Sequence, residues 1–116
     1  MNIEMIRDYC LSKRAATEDF PFDDTTLVFK VLGKMFALTD LEDEPCINVK
    51  CDPEKAIVLR EIFPAVNPGY HMNKSHWNTV KLDGSVSDKL IYQWIDDSYE
   101  LVLRSLSKTK RIELLK

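Results

Sequence analysis

The spacing of hydrophobic and polar positions changes period several times along the chain, and each change marks an element. From Asn2 to Arg14, Ile3, Ile6 and Cys10 fall at i, i+3, i+7, one face of a helix. Glu4, Arg7, Asp8 and Lys13 take the other side. Thr17 to Thr26, with Pro21 and two acid pairs, breaks the period and reads as a loop. Leu27 to Leu32 then alternates, with Leu27, Phe29 and Val31 on one face and Val28, Lys30 and Leu32 on the other. Gly33 follows, and Lys34 to Thr39 resumes the alternation with Phe36 and Leu38, so two strands around a tight turn make a hairpin. Cys46 to Cys51 reads as a third strand, with Ile47, Val49 and Cys51 facing in and Asn48 and Lys50 facing out; the acidic loop Asp40 to Glu44 leads into it.

Asp52-Pro53-Glu54 is a strong helix start, combining a capping carboxylate, a proline at the first helical position and an acid in the first turn. That helix runs to about Phe63, where Pro64 stops it. Two short strands are predicted around Tyr70 to Met72 and His76 to Leu82. Ser87 then caps a helix with an apolar stripe of Leu90, Ile91, Trp94 and Ile95. After Asp96-Asp97 it restarts or bends, and the stripe recurs at Tyr99, Val102, Leu103 and Leu106. The expected fold is α+β, a two-layer domain of order α-β(3)-α-β(2)-α. Its sheet is antiparallel with the helices on one face. The other face stays available for a partner or a second copy.

Bulk composition fits that picture. The 116 residues suffice for one domain, residues 1–116, ending in a basic tail, residues 108–116. At 45% hydrophobic and 30% charged, the chain has globular rather than disordered composition. The three cysteines, Cys10, Cys46 and Cys51, form no CxxC pair, which argues against a disulfide framework or a structural zinc site. The opening MNIEMIRDYC lacks the apolar core of a signal peptide, and AIVL (Ala56 to Leu59) is the longest aliphatic run, so the expected compartment is the cytoplasm. No membrane association is expected.

Charge changes the picture more. The formal net charge is −3, unhelpful to a general nucleic-acid binder, whose domain typically has a pI above ~9. Yet Thr17 to Glu54 carries ten acids and three bases, whereas Arg104 to Lys116 carries five bases and one acid. The molecule should have one basic end.

Candidate chemistry concentrates in NPGYHMNKSHWNTVKL, Asn67 to Leu82, which holds both histidines, His71 and His76. A metal site would need a third ligand, and the stretch contains no carboxylate. Acid–base work by either imidazole would need a partner nucleophile or paired carboxylate that the sequence does not supply. The plainest reading is a hydrogen-bonded turn between strands, with Asn73 and Asn78 satisfying backbone groups and Trp77 in the core. The alternative is a binding hairpin, or wing, with Lys74 on phosphate and His71, Asn73, His76 and Trp77 on bases. Lys108, Lys110 and Arg111 could add phosphate contacts, or simply complement a helix C-terminus. Glycine-rich phosphate loops, GxSxG elbows and HExxH helices are absent. No catalytic residue, cofactor or metal is expected.

The string PGYHMNKSHWNTV (Pro68 to Val80), then DDSYELV (Asp96 to Val102), preceded by FPFDDTTLVFKVLGKMFAL (Phe20 to Leu38), resembles the MmcQ/YjbR-like proteins of bacteria. The resemblance extends from the first helix to Leu106. It implies a secretion-chaperone-like α+β fold, also compared with double-wing proteins and commonly labelled DNA-binding on that ground. The distinctive positions it carries over are His71, Asn73, Lys74, His76 and Trp77, with Ser98 and Tyr99 on the last helix; the resemblance assigns them no role, and the plain structural reading of Ser98 and Tyr99 is a tie from helix to sheet. Two functions are expected, beside a third that a structure would have to revive, a small-molecule or enzymatic site joining His71 and His76 to Tyr99 or a carboxylate. One is a non-enzymatic DNA-binding protein using the Tyr70 to Trp77 wing and the basic C-terminus. The other is a protein- or peptide-binding module, chaperone-like and dimeric, using the open sheet face.

Overall fold

The computed structural model describes residues 1–69 and 72–115. Among the described residues, four helices form where the sequence supplies caps. Asn2 Oδ1 accepts from the Met5 backbone N–H at the start of α1 (Ile3–Leu11), and Asp52 accepts from Glu54 and Lys55 at the start of α2 (Pro53–Ile62). Ser87 caps α3 (Asp88–Ser105), and Ser107 caps α4 (Lys108–Leu114). Each cap satisfies backbone donors that have no partner within the helix.

Six strands, β1 (Ala16–Asp19), β2 (Thr26–Val31), β3 (Lys34–Asp40), β4 (Cys46–Lys50), β5 (Val66–Pro68) and β6 (Trp77–Lys81), form one sheet in the order β1-β2-β3-β4-β6-β5. All neighbouring pairs are antiparallel. The fold is thus the expected α+β arrangement, with several local differences. Residues 108–114, expected as a basic tail, form the additional helix α4, so Lys108 and Lys110 sit in its first turn rather than at a helix C-terminus. Residues 16–19 form a border strand rather than a loop. Polar residues give it no alternation to read, and it is held by pairing with β2 and by Arg7 Nε on Glu18 at 2.8 Å. The fifth strand lies at Val66–Pro68 rather than around Tyr70 to Met72, because Val66 pairs with Val80 on the covered face; Tyr70 and His71 lie outside the described residues. Helix α3 runs unbroken through Asp96-Asp97, whose carboxylates are taken by neighbours: Tyr9 Oη and Lys13 on Asp96, Lys55 and Gln93 on Asp97.

The β2–β3 turn is Leu32-Gly33, with φ of 47° and 87°. Both residues sit in the left-handed region that a two-residue turn requires to match strand twist. Farther along the hairpin, Phe29 pairs with Ala37 but Lys30 with Met35, so Phe36 is an extra residue in β3. This bulge breaks the alternation expected of Phe36 and Leu38. It sends both Phe36 and Ala37 to the helix side and leaves Met35 and Leu38 on the other.

The core lies between the helices and one face of the sheet. Ile6 and Cys10 of α1, and Ile91, Trp94, Ile95 and Val102 of α3, pack with Phe29, Val31, Phe36, Ile47, Val49 and Val80. Burial pushes the Cys10 thiol up to about 12, which keeps it protonated. Ser98, wholly buried, fastens the two layers. Its Oγ donates to the Phe36 carbonyl at the bulge (2.5 Å) and accepts from the Lys50 backbone N–H (2.8 Å). Tyr99 Oη donates to the Arg14 carbonyl at 2.6 Å, and its ring meets Phe36 edge-on at 5.2 Å. Ser98 thus ties helix to sheet by hydrogen bonds, whereas the Tyr99 hydroxyl goes to the α1–β1 connection and only its ring meets the sheet, at Phe36. No described helix is long and apolar enough to cross a membrane.

Ser98→Ala removes one donor and one acceptor from a dry interface and strands a carbonyl and an N–H. Urea denaturation should register a loss of about 1–3 kcal/mol. A change within experimental error would remove Ser98 from this role.

Candidate functional site

The helix-free face of the sheet carries an open groove of about 860 Å³. Strand alternation supplies its floor. Leu38 of β3, Asn48 of β4, and Trp77 and Thr79 of β6 all point away from the helices, with Met35 beside them through the bulge. Trp77 is buried against Val28, Leu38, Met35 and Met72, so its indole is part of the floor rather than a free stacking surface. At mid-floor, Thr79 Oγ1 donates to Asn48 Oδ1, and Asn48 Nδ2 donates to the Leu38 carbonyl at 3.3 Å. These bonds make a buried asparagine tolerable on an apolar surface.

The two long sides of the groove differ. Strand register puts the β1–β2 and β3–β4 loops at one end of the strands, and that side carries Asp23, Asp40, Asp43 and Glu44 against Lys81 as the one base. Backbone N–H donation from Thr25 and Thr26 holds the Asp23 carboxyl below its usual range. The Asp40 and Asp43 carboxylates accept from loop N–H groups. Cys46, half-buried on this side, has its thiol pushed up mainly by burial, with Asp43 adding to it. The opposite side is mainly apolar, with Met35, Met72, Pro68 and Trp77 beside the uncharged Asn73. Phe22, 65% exposed, stands over one corner.

The predicted wing leaves the sheet on that apolar side. Asn73 Oδ1 accepts from the Ser75 N–H, turning the chain, and the Asn73 carbonyl accepts from His76 and Trp77. Lys74 and His76 are exposed, and His71 lies outside the described residues. Arg60 of α2 braces the turn, bonding Asn78 Oδ1 at 2.7 Å, the Trp77 carbonyl at 3.2 Å and the Lys74 carbonyl. Lys108, Lys110 and Arg111 are exposed on α4; Lys110 Nζ reaches the Leu32 carbonyl at 3.2 Å. The Leu32-Gly33 turn and the start of β6 are at the same end of the strands, so the wing and α4 share one end of the sheet. His76 and Tyr99 do not meet in a pocket, and among the described residues no three His, Cys, Asp or Glu side chains are grouped to hold a metal.

The groove was only partly visible in the sequence. Its signal is an excess of apolar residues, Val28 and Leu38, at outward strand positions. Met35, Phe22 and the bracing Arg60 carry no local pattern, because the first depends on the bulge and the others on tertiary contacts.

This is an antiparallel α+β domain with one face roofed by helices and one left as an acid-edged groove. The YjbR family model matches residues 11–101, and the chain belongs to that family. It is 37% identical over 112 residues to the uncharacterised YjbR of Escherichia coli K12, covering 96% of this chain and 95% of that one. It is 42% identical over 90 residues to E. coli O157:H7 YbdF, with 77% and 74% covered. Among solved structures, Deinococcus radiodurans DR2400, a DUF419 domain, superposes with a TM-score of 0.90 at 43% identity, over 97% of this chain and 87% of that one. A Pseudomonas syringae protein superposes with a TM-score of 0.76 at 32% identity, over 87% and 98%.

Gly69 closes the groove floor. Its N–H donates to the Trp77 carbonyl at 2.8 Å, and a Cβ there would lie 2.8 Å from Trp77 Cβ and 3.0 Å from Met72 Cβ. Gly69→Ala should therefore displace both floor residues and cost about 1–3 kcal/mol, with a changed Trp77 indole signal in a ¹H–¹⁵N spectrum. An unmoved signal would show that the floor tolerates the methyl group.

Proposed function

We propose that the protein is a non-enzymatic binding module that holds a polypeptide segment of a partner on the helix-free face of its sheet. The observation that carries this reading is the groove itself. Leu38 and Trp77, both buried, and Met35 and Met72, both half-buried, floor a groove of about 860 Å³ that no helix covers, whereas the other face of the sheet is roofed. Methionines suit such a floor because their unbranched side chains adapt to varied shapes. The test is titration of ¹⁵N-labelled protein with three 14-residue amphipathic peptides, one cationic, one anionic and one uncharged. The expected result is amide shifts at Met35, Leu38, Asn48, Met72 and Trp77 with at least one of them. Shifts confined to other surfaces, or none, would refute the reading.

A second reading, DNA binding through the wing and the basic C-terminus, is favoured by one observation: the Lys74 turn and α4 share an end of the sheet. The acidic groove edge and the net charge of −3 oppose it. It requires salt-dependent association with duplex DNA, weakened by Lys74→Ala and by neutralising Lys108, Lys110 and Arg111. Absence of association at low salt in a fluorescence-anisotropy titration would eliminate it.

A further inference from the structure

We infer that the groove's occupant is a basic amphipathic helix of a partner protein, lying across the strands with its cationic flank toward the β1–β2 and β3–β4 loops. The inference rests on the groove reading above and adds the partner's shape and charge.

Dimensions argue for a helix. The groove reaches from Thr26 on β2, across β3, β4 and β6, to Asn67 on β5. Four inter-strand spacings at about 4.8 Å give about 19 Å. A helix of about 13 residues has that length at 1.5 Å per residue. Along the strands, Met35 to Asp40 on β3 spans about 17 Å, room for a helix about 10–12 Å across with its side chains. A strand added at a border would leave this floor uncovered, whereas a helix lying over it supplies the missing third layer.

Charge argues for the orientation. Four carboxylates (Asp23, Asp40, Asp43 and Glu44) and one amine (Lys81) line the loop side, while Met35, Met72, Pro68, Trp77 and the uncharged Asn73 line the other. A helix across the strands meets both sides along its whole length. The match is therefore a helix with Lys or Arg on one flank and apolar residues on the next, spaced i, i+3, i+4, i+7. Like charges on an anionic helix would be held within a Debye length of the carboxylates and repelled.

The experiment compares a 14-residue Leu/Lys amphipathic peptide with a Leu/Glu peptide of the same pattern and with a Leu/Lys peptide carrying a central proline. Each is titrated into wild-type protein and into the Asp43→Lys, Glu44→Lys double variant. Both substituted residues are exposed, so folding is retained, and the edge then holds two carboxylates against three lysines. Expected are groove-mapped binding of the Leu/Lys peptide at least tenfold tighter than Leu/Glu, at least tenfold weakening by the proline, and reversal of the charge preference in the double variant. Equal or tighter groove binding of Leu/Glu overturns the charge assignment while leaving the groove reading intact. Full-strength binding of the proline peptide overturns the helix. A dimer in sedimentation velocity, with groove amides broadened before any peptide is added, overturns it in favour of a second copy. Loss of all groove shifts would sink both readings together.

Discussion

One buried hydroxyl sets the relation between the two layers. Ser98 on α3 reaches two adjacent strands at once, accepting from β4 and donating to β3 at the residue where the bulge leaves a carbonyl turned toward the helix. Without the bulge, Phe36 would follow the strand's alternation out to the open face, and the hydroxyl would have no such acceptor. With it, Phe36 and Ala37 both enter the core, Tyr99 meets Phe36 edge-on, and α3 is fixed in depth and rotation over the sheet. A dry hydrogen bond of this kind is modest in net value but expensive to leave half made, so its chief effect is to forbid other registers of helix on sheet.

The open face follows from the same irregularity. Because β3 carries an extra residue, Met35 and Leu38 both project from the uncovered side and join Trp77 and Met72 in a continuous apolar floor. Polar groups in that floor are matched internally, as with Asn48 and Thr79, so they offer little to a reacting substrate. The titratable groups lie along one edge as solvated carboxylates rather than converging on a point. Such an arrangement can recognise and hold.

Most of the fold was legible from periodicity and caps. Asp52 and Ser87 mark two helix starts, periodicity located α1, and alternation located the central hairpin and β4. The failures have physical causes. Border strand β1 is polar, so its pairing leaves no hydrophobic trace. Strand β5 is three residues long and contributes one inward valine, too little for a period. The bulge at Phe36 is a tertiary compromise between core filling and ladder pairing, and nothing in Lys34 to Thr39 announces it. At the site, the sequence drew attention to polar residues of the wing. Trp77 proved to be floor, while the acidic loops, read as connectors, edge the groove.

The sheet's two borders bear on how such a chain can meet others. One border is β1, four residues long, with exposed Asp19 at its end and Glu18 held by Arg7; the other is β5, three residues ending in a proline that has no N–H to offer. Both are poor templates for another chain's backbone, which protects against runaway ribbon growth and domain exchange. Copies crowded together in a cell would therefore fail to stitch into fibrils edge to edge.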